Sequence, residues 1–189
     1  MLEWWKTHYE LLIKCNLNKK DIERLVSEDK IKLRENTDEF FYILNKNNVP
    51  LIIMSSSGLG DAISMVLLKN KLLFSNVGII TNKFIWDENG KAIKIQEPII
   101  HSLNKKEIEV KNYPLFNQIK DRKNVILIGN TIADIDMIEG FNFENLIKIG
   151  FLNDENETPL EEFKKSFDII ILNDGNFDYV NELIKELSV

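Results

Sequence analysis

The hydrophobic pattern of the chain changes near residue 50. Before that point apolar residues recur at helical spacing. Leu2, Trp5, Tyr9, Leu12 and Ile13 make one stripe, which predicts a helix over residues 2–15. A second helix is expected over 19–33, after the Asn16–Lys19 connection, and a third over 38–46, where Phe40, Phe41 and Leu44 are apolar. From Pro50 onward the pattern is one of short unbroken apolar runs. Pro50–Met54, Val77–Thr81, Val125–Ile128, Leu146–Gly150 and Phe167–Leu172 read as strands covered on both faces. Helical segments are expected at 61–72, at 104–120 in two pieces broken near Pro114, from Thr131 to about 139, at 159–166 and at 177–187. Phe84–Trp86 and Lys91–Ile95 flank Asp87-Glu-Asn-Gly90, a hairpin signal.

Strands alternating with helices predict an α/β fold, with a mainly parallel sheet flanked by helices. Residues 1–33 are all helical, so they are expected to be an appended helical piece and 34–189 the layered core. The first helix has no Ser, Thr, Asp or Asn cap before it, so it reads as the middle of something larger. No signal peptide or basic leader is read at Met1.

Composition narrows the functions. The 189 residues hold 24 basic and 30 acidic side chains, a net charge of −6. That argues against nucleic acid as a partner, since its binders carry a basic footprint. It leaves room for a small anion, which a few local donors hold on an acidic protein. A single cysteine, Cys15, rules out an internal disulfide and suits a reducing, cytoplasmic setting. It is expected to be a buried structural thiol. No apolar run approaches the ~18 residues of a membrane span, so no membrane partner is expected. His8 and His101 are the only histidines, and neither has zinc spacing.

In parallel sheets, ligands sit beyond the carboxyl ends of strands, and two strand ends here are unusual. The first carries Ser55-Ser56-Ser57-Gly58-Leu59-Gly60-Asp61. Hydroxyls and unhindered backbone N–H groups at the mouth of a helix suit a phosphate. The same residues also suit a plain capping loop. The second end carries Gly129-Asn130-Thr131-Ile132-Ala133-Asp134. Asn130 and Asp134 lie one helical turn apart and offer two oxygens to a hard cation, Mg²⁺ above all. The competing reading makes Asn130 or Thr131 a helix cap and Asp134 a first-turn acid. Lys105 alone would be one solvated lysine among many.

Taken in order, the serine-rich strand tip, the isolated lysine and Gly-(Asp/Asn)-Thr-x-x-Asp resemble motifs two, three and four of the haloacid dehalogenase superfamily. The likeness is closer still to the cytosolic pyrimidine 5′-nucleotidase (type III) family. It rests on Met1–His8, Pro50 with Ser-Gly-Leu-Gly-Asp61, His101 with Asn104-Lys105, Gly129-Asn-Thr-x-x-Asp134 and Leu146–Asp154. The resemblance runs over essentially the whole chain. It implies a phosphatase core with a small helical cap, and Mg²⁺-dependent hydrolysis of nucleoside 5′-monophosphates such as CMP and UMP to nucleoside and phosphate. It makes Ser55, Ser56 and Ser57 competitors for the phosphate, because this chain has one residue more before Gly58 than the family pattern. It makes Lys105 the phosphate-neutralising lysine, and Asn130 and Asp134 the metal-site residues, with Asn130 in place of an aspartate. It places Thr7 and Trp5 near substrate.

One departure outweighs the rest. The family's first motif, Asp-x-Asp-x-Thr, carries the aspartate nucleophile and the acid/base, and aspartyl-phosphate chemistry needs both. The sequence holds no such motif; its one Asp-x-Asp is Asp134-Ile135-Asp136. The expectation is a chain that lacks the nucleophile and the central strand that would present it. The alternative is a non-catalytic relative that keeps the phosphate loop and binds a nucleotide or a partner.

Overall fold

Where the apolar period changes in the sequence, the backbone changes from helix to parallel strand. The computed structural model describes residues 1–105, 108, 110–153 and 157–187. Its elements in chain order are α1 (Leu2–Lys14), α2 (Lys19–Ser27), α3 (Thr37–Lys46), β1 (Leu51–Ser55), α4 (Asp61–Lys69), β2 (Val77–Thr81), β3 (Phe84–Trp86), β4 (Ala92–Ile95), α5 (Phe116–Ile119), β5 (Asn124–Gly129), β6 (Asn145–Leu152), α6 (Glu157–Ser166), β7 (Ile169–Leu172) and α7 (Asp178–Leu187). Short 3₁₀ segments cover Val110–Asn112 and Ile132–Ile138. Asp154, the last residue of the sequence motif that starts at Leu146, lies outside the described residues.

The chain forms two compact units. One joins Met1–Lys32 to Leu51–Asn104, and the other joins Leu33–Pro50 to Lys105–Val189. In the first unit β1 and β2 pair in parallel, from Leu51 opposite Val77 to Ser55 opposite Thr81. α2 packs on α4 through Ile22, Val26, Ala62 and Val66. α1 lays Tyr9 into a cluster with Phe84, Ala92, Ile95 and Ile99. The β3–β4 hairpin turns where expected. The Asp87 carboxylate accepts from the Asn89 and Lys91 N–H groups at 2.9 and 2.7 Å, and Gly90 takes a φ of +76°, which favours glycine.

In the second unit β5, β6 and β7 form a parallel ladder, with Gly129 opposite Gly150 and Leu152 opposite Leu172. Leu152, Phe163 and Phe167 pack α6 onto it. Near the carboxyl ends of β6 and β7, Arg34 acts as a clamp. Its guanidinium donates to Asp174 and Asn153 at 2.7 Å and to the Gly175 carbonyl at 3.0 Å. It also lies 4.5 Å over the Phe151 ring, a cation–π geometry.

Several elements end earlier than the periodicity suggests, each for a local reason. The helix expected over 19–33 stops at Ser27, because Asp29 turns left-handed with φ +55°. Lys69 then caps the α2 carbonyls of Val26 and Ser27 and pairs with Asp29, as cations do at helix ends. The helix expected over 61–72 stops at Lys69, with Lys71 at φ +58°. The segment after Asn130 is a 3₁₀ stretch where a regular helix was expected. Cys15 corrects the expectation of a buried thiol: it is exposed, since it stands at the end of α1, outside the stripe that Tyr9 buries.

Replacing Arg34 by alanine removes three donors and a stacked cation. It is expected to cost about 1–2 kcal/mol of stability, and Arg34→Lys most of that, because an ammonium cannot reproduce the planar fork. Urea midpoints equal to wild type for both variants would remove the clamp from the account.

Candidate functional site

Two strand ends carry the site residues, one in each unit, and each is built around a buried polar side chain. In the first unit, β1 delivers the chain into the loop Ser55–Gly60, which enters α4. Two of the three serines shape the loop itself. The Ser55 hydroxyl accepts from the Ser57 N–H at 3.1 Å, and the Ser57 hydroxyl accepts from the Leu59 N–H at 3.2 Å. These are local side-chain turns of the kind serine favours. Among the described residues the Ser56 hydroxyl has no such engagement, and neither has the Gly58 N–H. Gly60 is forced by packing. A Cβ there would lie 2.1 Å from the Asn82 carbonyl oxygen and 2.3 Å from the Thr81 hydroxyl.

α1 brings a group of rings to this loop. A Cβ on Gly58 would meet His8 Nε2 at 2.7 Å and the Trp5 ring at 3.3 Å. His8 stacks on Trp4 at 5.5 Å with 6° between the planes, and Trp5 stacks on Tyr9 at 5.6 Å. Trp4 is 61% exposed, since it stands beside Trp5 and off the stripe that Tyr9 buries. Trp5, named from sequence, is therefore beside the loop. Thr7 is exposed, and its hydroxyl donates to the Glu3 carbonyl at 2.9 Å. His8, Tyr9 and Asn82 were missed. Asn82 had a readable signal, because it follows β2 directly and so stands at the carboxyl end of a parallel strand.

Asp61 begins α4, and its carboxylate accepts from the Phe84 N–H at 3.1 Å. Burial pushes its carboxyl above the usual range, while the Phe84 bond and the charges of Lys83 and Lys19 oppose that shift.

In the second unit Asp134 is the organising residue. One oxygen accepts from the Asn130 and Thr131 N–H groups at 2.8 and 3.0 Å. The other accepts from Lys105 Nζ at 2.6 Å, with only 8% and 6% of the two side chains exposed. Lys105 Nζ also lies 3.8 Å from Met137 Sδ. The structure thus joins two residues that stand 29 positions apart. Gly129 permits this, since a Cβ there would fall 2.6 Å from Asp134 Cβ.

The same geometry bears on the metal. Mg²⁺ seeks near-octahedral oxygen ligation with charged ligands. Both Asp134 oxygens are engaged by Lys105 and two amides, and Asn130 is exposed and neutral. Among the described residues no three His, Cys, Asp or Glu side chains are grouped for a metal. Asn130 and Asp134 alone do not fit a Mg²⁺ site.

Three substitutions check the geometry of the two strand ends. Gly129→Ala drives a methyl into Asp134 and is expected to cost about 1–3 kcal/mol. Asp134→Asn in that background should then cost less than in wild type, and additive losses in denaturant melts would contradict the contact. Asp61→Asn removes a carboxylate whose folded pKa is raised. The wild type therefore loses stability as pH rises above the ordinary carboxylate range, and the variant does not. The variant's advantage should be largest near neutrality and close as pH falls toward 4. A pH-independent difference would contradict the shift.

Comparison with known proteins agrees with the fold and the family resemblance. The model of the pyrimidine 5′-nucleotidase (UMPH-1) family matches residues 1–188. The human 7-methylguanosine phosphate-specific 5′-nucleotidase is 35% identical over 188 residues, 99% of this chain and 62% of the relative. The Xenopus laevis 7-methylguanosine phosphate-specific 5′-nucleotidase A is 33% identical over 186 residues, 98% of this chain and 64% of the relative. The chain thus spans less than two thirds of the length of these relatives. A crystal structure of cytosolic 5′-nucleotidase IIIB bound to cytidine superposes with a TM-score of 0.84 and 28% identity, over 98% of this chain and 64% of that one. Apo phosphoserine phosphatase shares the fold, with a TM-score of 0.60 at 17% identity, over 96% of this chain and 83% of that one. The chain belongs to the pyrimidine 5′-nucleotidase (UMPH-1) family, on a haloacid dehalogenase-like fold.

Proposed function

We propose that the chain is the nucleotide-handling part of a 5′-nucleotidase that hydrolyses nucleoside 5′-monophosphates to nucleoside and phosphate through an aspartyl-phosphate. The observation that carries this reading is the buried Lys105–Asp134 pair at 2.6 Å. It joins the lysine and the acid that the resemblance assigns to two separate catalytic motifs. Lys105 neutralises phosphate charge. Asp134 orients that lysine, because a buried ammonium needs a partner. Ser56, whose hydroxyl the loop leaves unused, takes the phosphate with the N–H of Gly58. Ser55 and Ser57 hold the loop in shape. Trp5 and the exposed Trp4 offer ring faces to the base, and Thr7 stands on the same helix. The 7-methylguanosine phosphate named for the relatives joins CMP and UMP as a substrate to test.

The nucleophile is not among these residues, since the sequence has no Asp-x-Asp-x-Thr. The carboxylate and its acid/base partner have to come from outside the 189 residues. Mg²⁺ belongs to the same chemistry, where it offsets phosphate charge. Asn130 would offer it only one neutral oxygen and Asp134 is engaged by Lys105, so its charged ligands would have to come with the absent carboxylates. Asn130 also favours a second reading, a phosphate- or nucleotide-binding relative without turnover.

Calorimetric titration of the chain with CMP, UMP, 7-methyl-GMP and inorganic phosphate tests the proposal. Binding is expected for phosphate and at least one nucleotide, with Lys105→Met weakening it by about tenfold or more. No binding, or a Lys105→Met affinity equal to wild type, overturns it. Supplying the missing N-terminal motif on a longer chain should then yield phosphate release. Binding without release from that longer chain favours the second reading.

A further inference from the structure

The Ser57–Gly58 peptide has an orientation imposed from behind. Its carbonyl oxygen accepts from the Tyr9 hydroxyl and from Asn82 Nδ2, each at 3.4 Å. Both donors are buried, at 1% and 2% exposure. Asn82 has little freedom to turn. Its Nδ2 also donates to the Ile100 carbonyl at 2.9 Å, and its Oδ1 accepts from the Ile100 N–H at 2.8 Å. The amide thereby pairs with both backbone groups of Ile100, and its remaining N–H is aimed at Ser57. Tyr9 stays a donor throughout the neutral range, because burial pushes its phenol well up.

A trans peptide is planar, and its C=O and N–H point in opposite directions. Only Glu97–Pro98 is cis in the described chain, so the Ser57–Gly58 peptide is trans. With the Ser57 carbonyl turned toward Tyr9 and Asn82, the Gly58 N–H faces the other way, and it has no partner among the described residues. Should this peptide flip, it would present a carbonyl oxygen where a donor now stands, and an anion would meet a partial negative charge.

We propose that Tyr9 and Asn82 are positioning residues for the phosphate loop, holding the Ser57–Gly58 peptide so that the Gly58 N–H is presented to the oxygens of a phosphate monoester. The inference rests on the reading of this loop as the phosphate site. It adds that affinity comes from a donor fixed before binding, which removes an ordering cost. Asn82 extends the same control along the chain. Ile100 precedes the turn in which Asn104 Oδ1 accepts from the His101 N–H at 2.7 Å and Asn104 Nδ2 donates to the Ile99 carbonyl at 2.9 Å. One run of amide hydrogen bonds therefore links the phosphate loop to Asn104, the residue before Lys105.

The test is titration of the ¹⁵N-labelled 189-residue chain with inorganic phosphate and with CMP, following the Gly58 amide by NMR. In wild type that amide should shift saturably. Tyr9→Phe keeps the ring and drops the hydroxyl; it should weaken phosphate binding about threefold to fivefold. Asn82→Asp keeps the acceptor for the Ile100 N–H but loses the donors toward Ser57 and the Ile100 carbonyl; it should weaken binding about tenfold or more and abolish the Gly58 response, with the α4 resonances retained. If Asn82→Asp does not fold, Tyr9→Phe decides. Wild-type affinity and an unchanged Gly58 shift in the folded variants overturn the positioning role and leave the phosphate site standing. A wild type that responds to neither ligand overturns both.

Discussion

Backbone polar groups that leave the ladder at the end of a parallel strand need partners, and here buried side chains supply them. The tip of β5 is held by Asp134, which accepts from Asn130 and Thr131. The loop after β1 is held by Asn82 and Tyr9, which donate to Ser57. Most of the site geometry follows from this requirement. A polar group buried without a partner costs more than a made hydrogen bond returns, so these side chains and the loops they hold are mutually constraining. The glycines belong to the same constraint. Gly129 and Gly60 stand where a methyl would overlap Asp134 or the Asn82 backbone.

Under the proposed function, the Lys105–Asp134 pair is the means by which an acidic chain would hold an anion. A net charge of −6 does not attract phosphate at long range, and salt screens such fields within about 8–10 Å. A single ammonium held in a buried site is worth far more there than many at the surface. The carboxylate that pairs with it also ties it to the turn after β5. That double use engages both Asp134 oxygens.

Much of the fold was legible because its causes are local. Val77–Thr81 and Phe84–Trp86 fall where apolar runs and turn residues put them. Membership of the family was legible too, since motif order needs no coordinates. Helix ends were less so. α2 stops at Ser27 because Asp29 turns left-handed and Lys69, forty residues away, caps its carbonyls, and no pattern within residues 19–33 contains that information. Cys15 was misjudged because burial at a helix end depends on what the helix packs against.

The sequence by itself determined the class of fold, the order of the motifs and the absence of the Asp-x-Asp-x-Thr that a carboxylate nucleophile requires. It left three serines equivalent, left Lys105 one lysine among many until the resemblance singled it out, and gave no weight to Tyr9 or Asn82. Only the tertiary structure decided that Lys105 pairs with Asp134 and that Asn82 joins Ser57 to Ile100. The physical reason is one of range. Periodicity and turn chemistry act over a few residues, whereas hydrogen bonds and ion pairs in a folded chain join groups whose sequence separation carries no signal of their distance.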